Sequence, residues 1–139
     1  MLNHLLILLL SLYPLTTQET NKKNIVISLE RTACYGTCPI YKIEIYTDNS
    51  GVYYGERFVT KIGKYNFKLT THEISNILTK ANEIGFYKMR NEYSDAISDL
   101  PTTYIYIKDK RIKDYFGAPE ELKELEKLID EITQENLNL

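Results

Sequence analysis

Alternation of apolar and polar side chains marks the first elements of the chain. Across residues 24–31, Ile25, Ile27 and Leu29 alternate with other residues, the period of a half-buried strand. Residues 40–47 repeat the pattern, with Tyr41, Ile43 and Ile45 set against Lys42, Glu44 and Tyr46. The turn chemistry of Asp48-Asn49-Ser50-Gly51 predicts that residues 52–58 return antiparallel beside them. Beyond a turn at Gly63, Tyr65, Phe67 and Leu69 form a further alternating strand. The period then becomes helical. Thr70 and Glu73 make a capping-box pair, and Ile74, Ile77, Leu78, Ala81 and Ile84 recur on one helix face until Gly85 stops them.

Residues 86–100 mix Tyr87, Met89 and Tyr93 with Asp95, Ser98 and Asp99 and show no period, leaving room for a short strand near 87–90. Pro101 resets the chain. Residues 102–108 are β-branched and aromatic, Asp109-Lys110 supplies a tight turn, and residues 111–116 read as the second arm of a hairpin. Gly117-Ala118-Pro119 opens a last helix, with Pro119 expected at its first position and Glu120 and Glu121 complementing the helix dipole. Leu122, Leu125, Ile129 and Ile132 give that helix one apolar stripe, and its other face is nearly all Glu, Lys and Asp. Short turns between strands imply an antiparallel sheet, and two one-sided helices need a common apolar face to cover. The predicted fold is α+β, a two-layer sandwich of mainly antiparallel sheet with both helices on one face, in the order β-β-β-β-α-β-β-α.

Charge divides the chain. The 139 residues carry 17 Lys and Arg against 19 Asp and Glu, a net charge of −2, which argues against a nucleic-acid partner held by bulk charge. None of these charges precedes Gln18, and residues 5–15 are an apolar run broken only by Ser11 and Pro14, the pattern of a signal peptide. The run is too short for the roughly 20 residues that a spanning helix requires. Residues 1–17 are therefore expected to be a signal peptide cut between Thr17 and Gln18, with an uncleaved anchor as the alternative. Residues 18–139 are then a single extracytoplasmic domain, periplasmic or secreted, with no stable membrane span after processing. Within that domain, Arg57, Lys61, Lys64 and Lys68 form a basic run, while residues 118–139 hold seven acids against Lys123 and Lys127. Such separation offers a field to steer an anionic partner; a solvated, lysine-protected edge strand is the commoner reading.

Cys34 and Cys38 are the only cysteines. In an oxidising compartment they most simply pair with each other, with Gly36 giving the loop backbone freedom and Pro39 fixing the exit into the next strand. A redox role for the pair is the sharpest enzymatic alternative, with Arg31 nearby to favour a thiolate. Against it, the spacing is Cys-x-x-x-Cys in a loop rather than Cys-x-x-Cys at a helix N-terminus. A zinc site requires four ligands where the processed chain offers two Cys and His72, so no metal or cofactor is expected. His72 falls at a helix start and reads as solvated.

The stretch Arg31-Thr32-Ala33-Cys34-Tyr35-Gly36-Thr37-Cys38-Pro39-Ile40-Tyr41 resembles the signature Arg-x-x-Cys-x-Gly-x-Cys-Pro-x-Tyr of an exported bacterial family, domain of unknown function 6438. The likeness continues through Gly51, Asp99-Leu100-Pro101 and Gly117-Ala118-Pro119, over nearly all of residues 24–133. The resemblance implies a domain type without an established activity, so it carries over no catalytic residue.

The remaining chemistry lies in carboxylates. Glu92, Asp95 and Asp99 in the irregular segment and Asp114 on the last strand are candidates to converge, for acid–base work or a polar pocket. If Asp114 points inward with Ile112 and Phe116, Arg31 is the expected partner of Asp114 or Asp99, orienting the Cys loop against the second hairpin. Arg31, Tyr35, Gly36, Tyr41, Asp99 and Asp114 thus form the candidate functional corner. Tyr104, Tyr106 and Tyr115, opposite Ile105 and Ile107, are expected as core beneath a helix; exposed, they would make an aromatic platform. The sequence reads as a non-catalytic binding or accessory module of the cell envelope, engaging a protein or envelope polymer. The alternatives are a thiol-disulfide redox protein using Cys34/Cys38, a hydrolase using Asp95, Asp99 or Asp114, and a small inhibitor of an extracytoplasmic enzyme. A bridge across so short a loop removes little chain entropy. Replacing both cysteines by Ala is expected to lower stability by about 2 kcal/mol in urea unfolding while the native circular dichroism persists.

Overall fold

Each alternating segment forms a strand because one set of its side chains can be buried while the other faces water. In the computed structural model, which describes residues 23–138, the elements are β1 (Ile25–Arg31), β2 (Ile40–Tyr46), β3 (Ser50–Arg57), β4 (Gly63–Lys68), α1 (Thr71–Glu83), β5 (Glu92–Tyr93), β6 (Thr103–Ile107), β7 (Lys110–Asp114) and α2 (Glu120–Leu137). Residues 1–17, expected to be a signal peptide, lie outside the described residues. The strands make one sheet in the order β4-β3-β2-β1-β6-β7-β5. Its pairings are antiparallel except β5 with β7. This is the α+β architecture expected. Among the described residues no helix is long and apolar enough to cross a membrane.

Register turns the alternation into rows. Leu29 stands opposite Ile43 and Ile105, and Ile105 opposite Ile112; one step along, Ile27 stands opposite Ile45 and Ile107. All seven are almost completely buried. Helix α2 closes the core from one side with Leu122, Leu125 and Ile129 at 0% exposure, and α1 adds Ile77 and Ala81. Each such Leu or Ile contributes roughly 1.5–3 kcal/mol relative to exposure, so these rows hold the helices to the sheet. The helices run antiparallel: Lys80 meets Glu124 at 2.6 Å, and Asn136 donates to Glu73 at 2.8 Å. The Thr70–Glu73 capping box starts α1 as its sequence requires. Lys61, from the β3–β4 loop, donates to the Leu137 carbonyl at 2.6 Å and gives the last turn of α2 the cation its own sequence lacks.

Several details depart from expectation. No strand forms at 87–90; Gly85, at φ 70°, leads into a single 3₁₀ turn over Phe86–Lys88 that buries Phe86. The short strand comes later, at β5, because Tyr93 is buried there and its carbonyl accepts from both Tyr115 and Phe116. Pro119 is the N-cap of α2 rather than its first helical residue, with an extended ψ of 151°. Phe116 does not turn inward and is 45% exposed. Tyr104 and Tyr106 lie half-buried on the sheet face turned away from Ile105 and Ile107, not beneath a helix, because both helices occupy the other face. The Arg111 guanidinium stacks 4.2 Å from the Tyr104 ring centroid there.

Gly55 marks the tightest backbone approach. A Cβ built on it would lie 1.8 Å from the Lys61 carbonyl oxygen, so the β3–β4 loop can fold back on its own strand only over a glycine. Gly55→Ala is expected to cost about 3 kcal/mol in urea unfolding, as overpacking against backbone that has little room to give.

Candidate functional site

One row beyond the apolar ones, the same face of the sheet turns polar. Arg31 stands opposite Tyr41 on β2 and Thr103 on β6, and Thr103 opposite Asp114 on β7. Four neighbouring strands therefore present Tyr41, Arg31, Thr103 and Asp114 side by side. Helix α2 crosses this row with Lys123, Glu126, Asp130 and Thr133, spaced so that they share a helix face beside the apolar stripe.

The guanidinium of Arg31 joins the two layers. Its Nε donates to the Tyr41 hydroxyl at 2.7 Å, one terminal nitrogen donates to Thr103 Oγ1 at 2.9 Å and Glu126 Oε2 at 3.2 Å, and the other donates to Asp130 Oδ2 at 2.7 Å. Tyr41 in turn donates to Asp130 Oδ1 at 2.6 Å. Burial opposes the Arg31 charge, but Asp130 and the Tyr41 oxygen outweigh it and hold the guanidinium firmly protonated. Burial first, and then Asp130, push the Tyr41 hydroxyl well above the ordinary tyrosine range, so it remains a proton donor at physiological pH. A planar fork meeting several fixed oxygens is a role that lysine cannot fill.

Glu126 has a different character. It is 2% exposed, and burial, followed by its hydrogen bond with Asp114, raises its carboxyl from 4.5 to about 8. Asp114, also 2% exposed, is paired through Oδ2 with Lys123. Glu126 Oε1 and Asp114 Oδ1 are buried and have no hydrogen-bond partner among the described residues unless one of the two carboxyls carries a proton. A proton held on Glu126 and donated to Asp114 satisfies both oxygens at once. At neutral pH the 3.2 Å contact from Arg31 is therefore made to an essentially neutral carboxyl, and Asp130 is the principal counter-ion.

The Cys loop frames this cluster. Cys34 and Cys38 are joined by a disulfide. Thr32 N–H donates to the Thr102 carbonyl at 3.0 Å, Thr102 N–H donates to Thr32 Oγ1 at 3.0 Å, and Tyr35 N–H donates to the Asp99 carbonyl at 3.2 Å. The loop is thereby latched to the segment that leads into β6. Two cavities flank the Tyr41–Asp130 pair. One, of about 310 Å³, is bounded by Pro39, Ile43, Tyr53, Phe58 and Thr133; the other, of about 320 Å³, by Arg31, Cys38, Pro101 and Thr103. Phe58 stands at the rim of the first, 46% exposed and with φ at 56°, a left-handed conformation unusual for a bulky side chain.

The candidate corner is thus partly assembled. Arg31 and Tyr41 meet directly, and Asp114 reaches them through Glu126. The expected partnership of Arg31 with Asp114 or Asp99 is not made: Lys123 is the ion-pair partner of Asp114, and Arg31 turns to Glu126 and Asp130 because α2 lies directly over the row. Asp99, at φ 72°, contributes its backbone carbonyl to the latch, and its carboxylate accepts from Ser98 at 3.0 Å. Tyr35, 90% exposed, and Gly36 form the tip of the Cys loop. Glu92 pairs with Lys113 at 3.0 Å and Asp95 accepts from Ala96 N–H, so the irregular-segment carboxylates do not converge with Asp114. His72 is exposed at the start of α1. Among the described residues no group of three or more His, Cys, Asp and Glu side chains is gathered to hold a metal ion.

Sequence reasoning missed Thr103, Lys123, Glu126, Asp130 and Thr133. For the four on α2 the spacing was the available signal, a polar stripe directly flanking the apolar stripe of that helix. Two of the seven acids of the C-terminal segment, Glu126 and Asp130, are consequently turned inward onto Arg31 and contribute little to an external field.

Residues 25–133 match a family model described as Domain of unknown function (DUF6438). No curated protein matches the chain. No solved structure matches it either.

The carboxyl pair generates a pH dependence. The folded chain keeps the Glu126 proton up to about 8, whereas the unfolded chain releases it near 4.5. The folded state therefore binds more protons between these values, and stability falls as pH rises through that window and levels above it. Asp114 and Lys123, with Arg31 from β1, are the charged groups that face Glu126. Glu73, Glu92 and Glu124, whose carboxyls are lowered, act below the window. Glu126→Gln, which keeps a donor for Asp114 and an acceptor for Arg31, is expected to abolish the slope between about pH 5 and 8 in urea midpoints measured across pH.

Proposed function

We propose, for a chain that belongs to the family described as Domain of unknown function (DUF6438), a non-catalytic binding role in which the corner between the Cys loop, the β3–β4 loop and α2 engages an envelope polymer or a protein outside the cytoplasm. The observation that carries this reading is the pair of cavities beside Arg31, Tyr41 and Asp130, whose hydrogen bonds are met from within. Arg31 spends its donors on Tyr41, Thr103, Glu126 and Asp130, and Tyr41 donates to Asp130, so these groups fix the floor and leave the walls to make contact. A rigid floor under partly apolar walls is the usual anatomy of a recognition site. The cysteines are joined and His72 lies exposed at the start of α1, so neither supplies a nucleophile to the cavities. Export rests on the charge-free segment of residues 1–17.

Full-length chain with a C-terminal tag is expected to be recovered outside the cytoplasm and to sediment with the insoluble envelope fraction. Phe58→Asp puts a charge at the rim, and Asp tolerates the left-handed conformation. This change is expected to lower the sedimented share by about fivefold, the loss of one well-placed aromatic contact. Cytoplasmic retention, or equal sedimentation of variant and parent, overturns the proposal. The exposed position of the disulfide loop is what favours the redox alternative. A reduction potential below about −300 mV identifies a structural bridge, and a value in the range of known oxidoreductases identifies the alternative.

A further inference from the structure

We infer that the cavity bounded by Pro39, Tyr53, Phe58 and Thr133 binds a single uncharged, hydroxylated ring, one sugar residue of a glycan. This deepens the binding role proposed above and rests on it.

Size is the first argument. At about 310 Å³ the cavity lies at the small end of ligand sites, which suits one ring rather than an extended peptide. Charge is the second. The ionic group on its wall, Asp130, has one carboxylate oxygen taken by Tyr41 and the other by Arg31. An ionic ligand would have to compete with contacts of 2.6–2.7 Å inside the protein.

The third argument is a polar atom left over. The Tyr53 hydroxyl, 5% exposed at the residue level, is raised above its ordinary range by burial and then by Asp130, with no hydrogen bond contributing. A purely aliphatic occupant would cover the Tyr53 hydroxyl and leave it unpaired, a cost that makes such sites reject apolar ligands. Thr60 and Gln134, toward solvent, add further hydrogen-bonding capacity at the mouth. Aromatic side chains supply the apolar surface. Tyr41 and Tyr53 lie 5.7 Å apart, and Phe58 is held at the rim in a backbone conformation that costs energy, the kind of strain that collects at ligand clamps. A sugar ring presents an apolar face to such side chains and hydroxyls around its edge.

The test is nitrogen-15 NMR titration of the processed chain with glucose and with N-acetylglucosamine, alongside glucose 6-phosphate and leucinamide. Saturable shifts at Val59, Thr60, Thr133 and Gln134 with at least one neutral sugar are expected, with Kd in the millimolar range that so few ligand atoms supply. Tyr53→Phe, which keeps shape and removes the hydroxyl, is expected to weaken binding about tenfold. Thr60→Val, at the mouth, is an independent second variant. No saturable shift with either neutral sugar, tighter binding of glucose 6-phosphate or leucinamide, or undiminished binding by Tyr53→Phe overturns the inference. If envelope sedimentation persists in that event, only the ring assignment falls; if sedimentation is absent too, the broader binding role falls with it.

Discussion

The hydrogen-bonded fork of Arg31 is the constraint on which the upper end of the molecule depends. A permanent charge, with its side chain 25% exposed, is tolerable between a sheet and a helix only if its donors are met, and here two helix carboxyls, a tyrosine and a threonine meet them. The same contacts tie β1, β2, β6 and α2 into one geometry. The apolar rows below set the spacing of the layers, and the polar row fixes how far α2 slides along the sheet, since a one-turn shift would strand Arg31 and Asp130 together.

Neutralisation around this fork is distributed unevenly, and the unevenness has physical content. Asp130 meets Arg31 with one oxygen and Tyr41 with the other. Glu126, deeper and beside Asp114, keeps its proton, and Lys123 compensates Asp114 from the helix surface. Burying two carboxyls next to each other is affordable because one of them is an acid rather than an anion.

The strands and helices were legible because burial writes a period of two or 3.6 into the chain, and Leu122, Leu125, Ile129 and Ile132 line α2 as their spacing predicts. The irregular stretch before β6 was not, since β5 exists only through the burial of Tyr93 and its pairing with β7, neither of which is local. Of the site, Arg31 and Tyr41 could be picked out beside the cysteines. Glu126 and Asp130 were marked only by their place beside the apolar stripe of α2, because on a one-dimensional chain a carboxylate facing a buried arginine looks much the same as one facing water. The side of the sheet that carries Tyr104 was misjudged for a related reason: β-alternation says that two faces differ and does not say which one receives the helices.

The partners of Arg31 lie 10, 72, 95 and 99 residues away along the chain. Closing loops of that length is entropically unfavourable until other contacts have formed, which places the polar row among the high contact-order features that assemble late. During synthesis from the N-terminus, β1 and β2 emerge long before α2, so Arg31 waits without its carboxylates while most of the sheet is already made. The cleft is therefore completed only when the last helix arrives, and its presence distinguishes a finished molecule from every shorter intermediate.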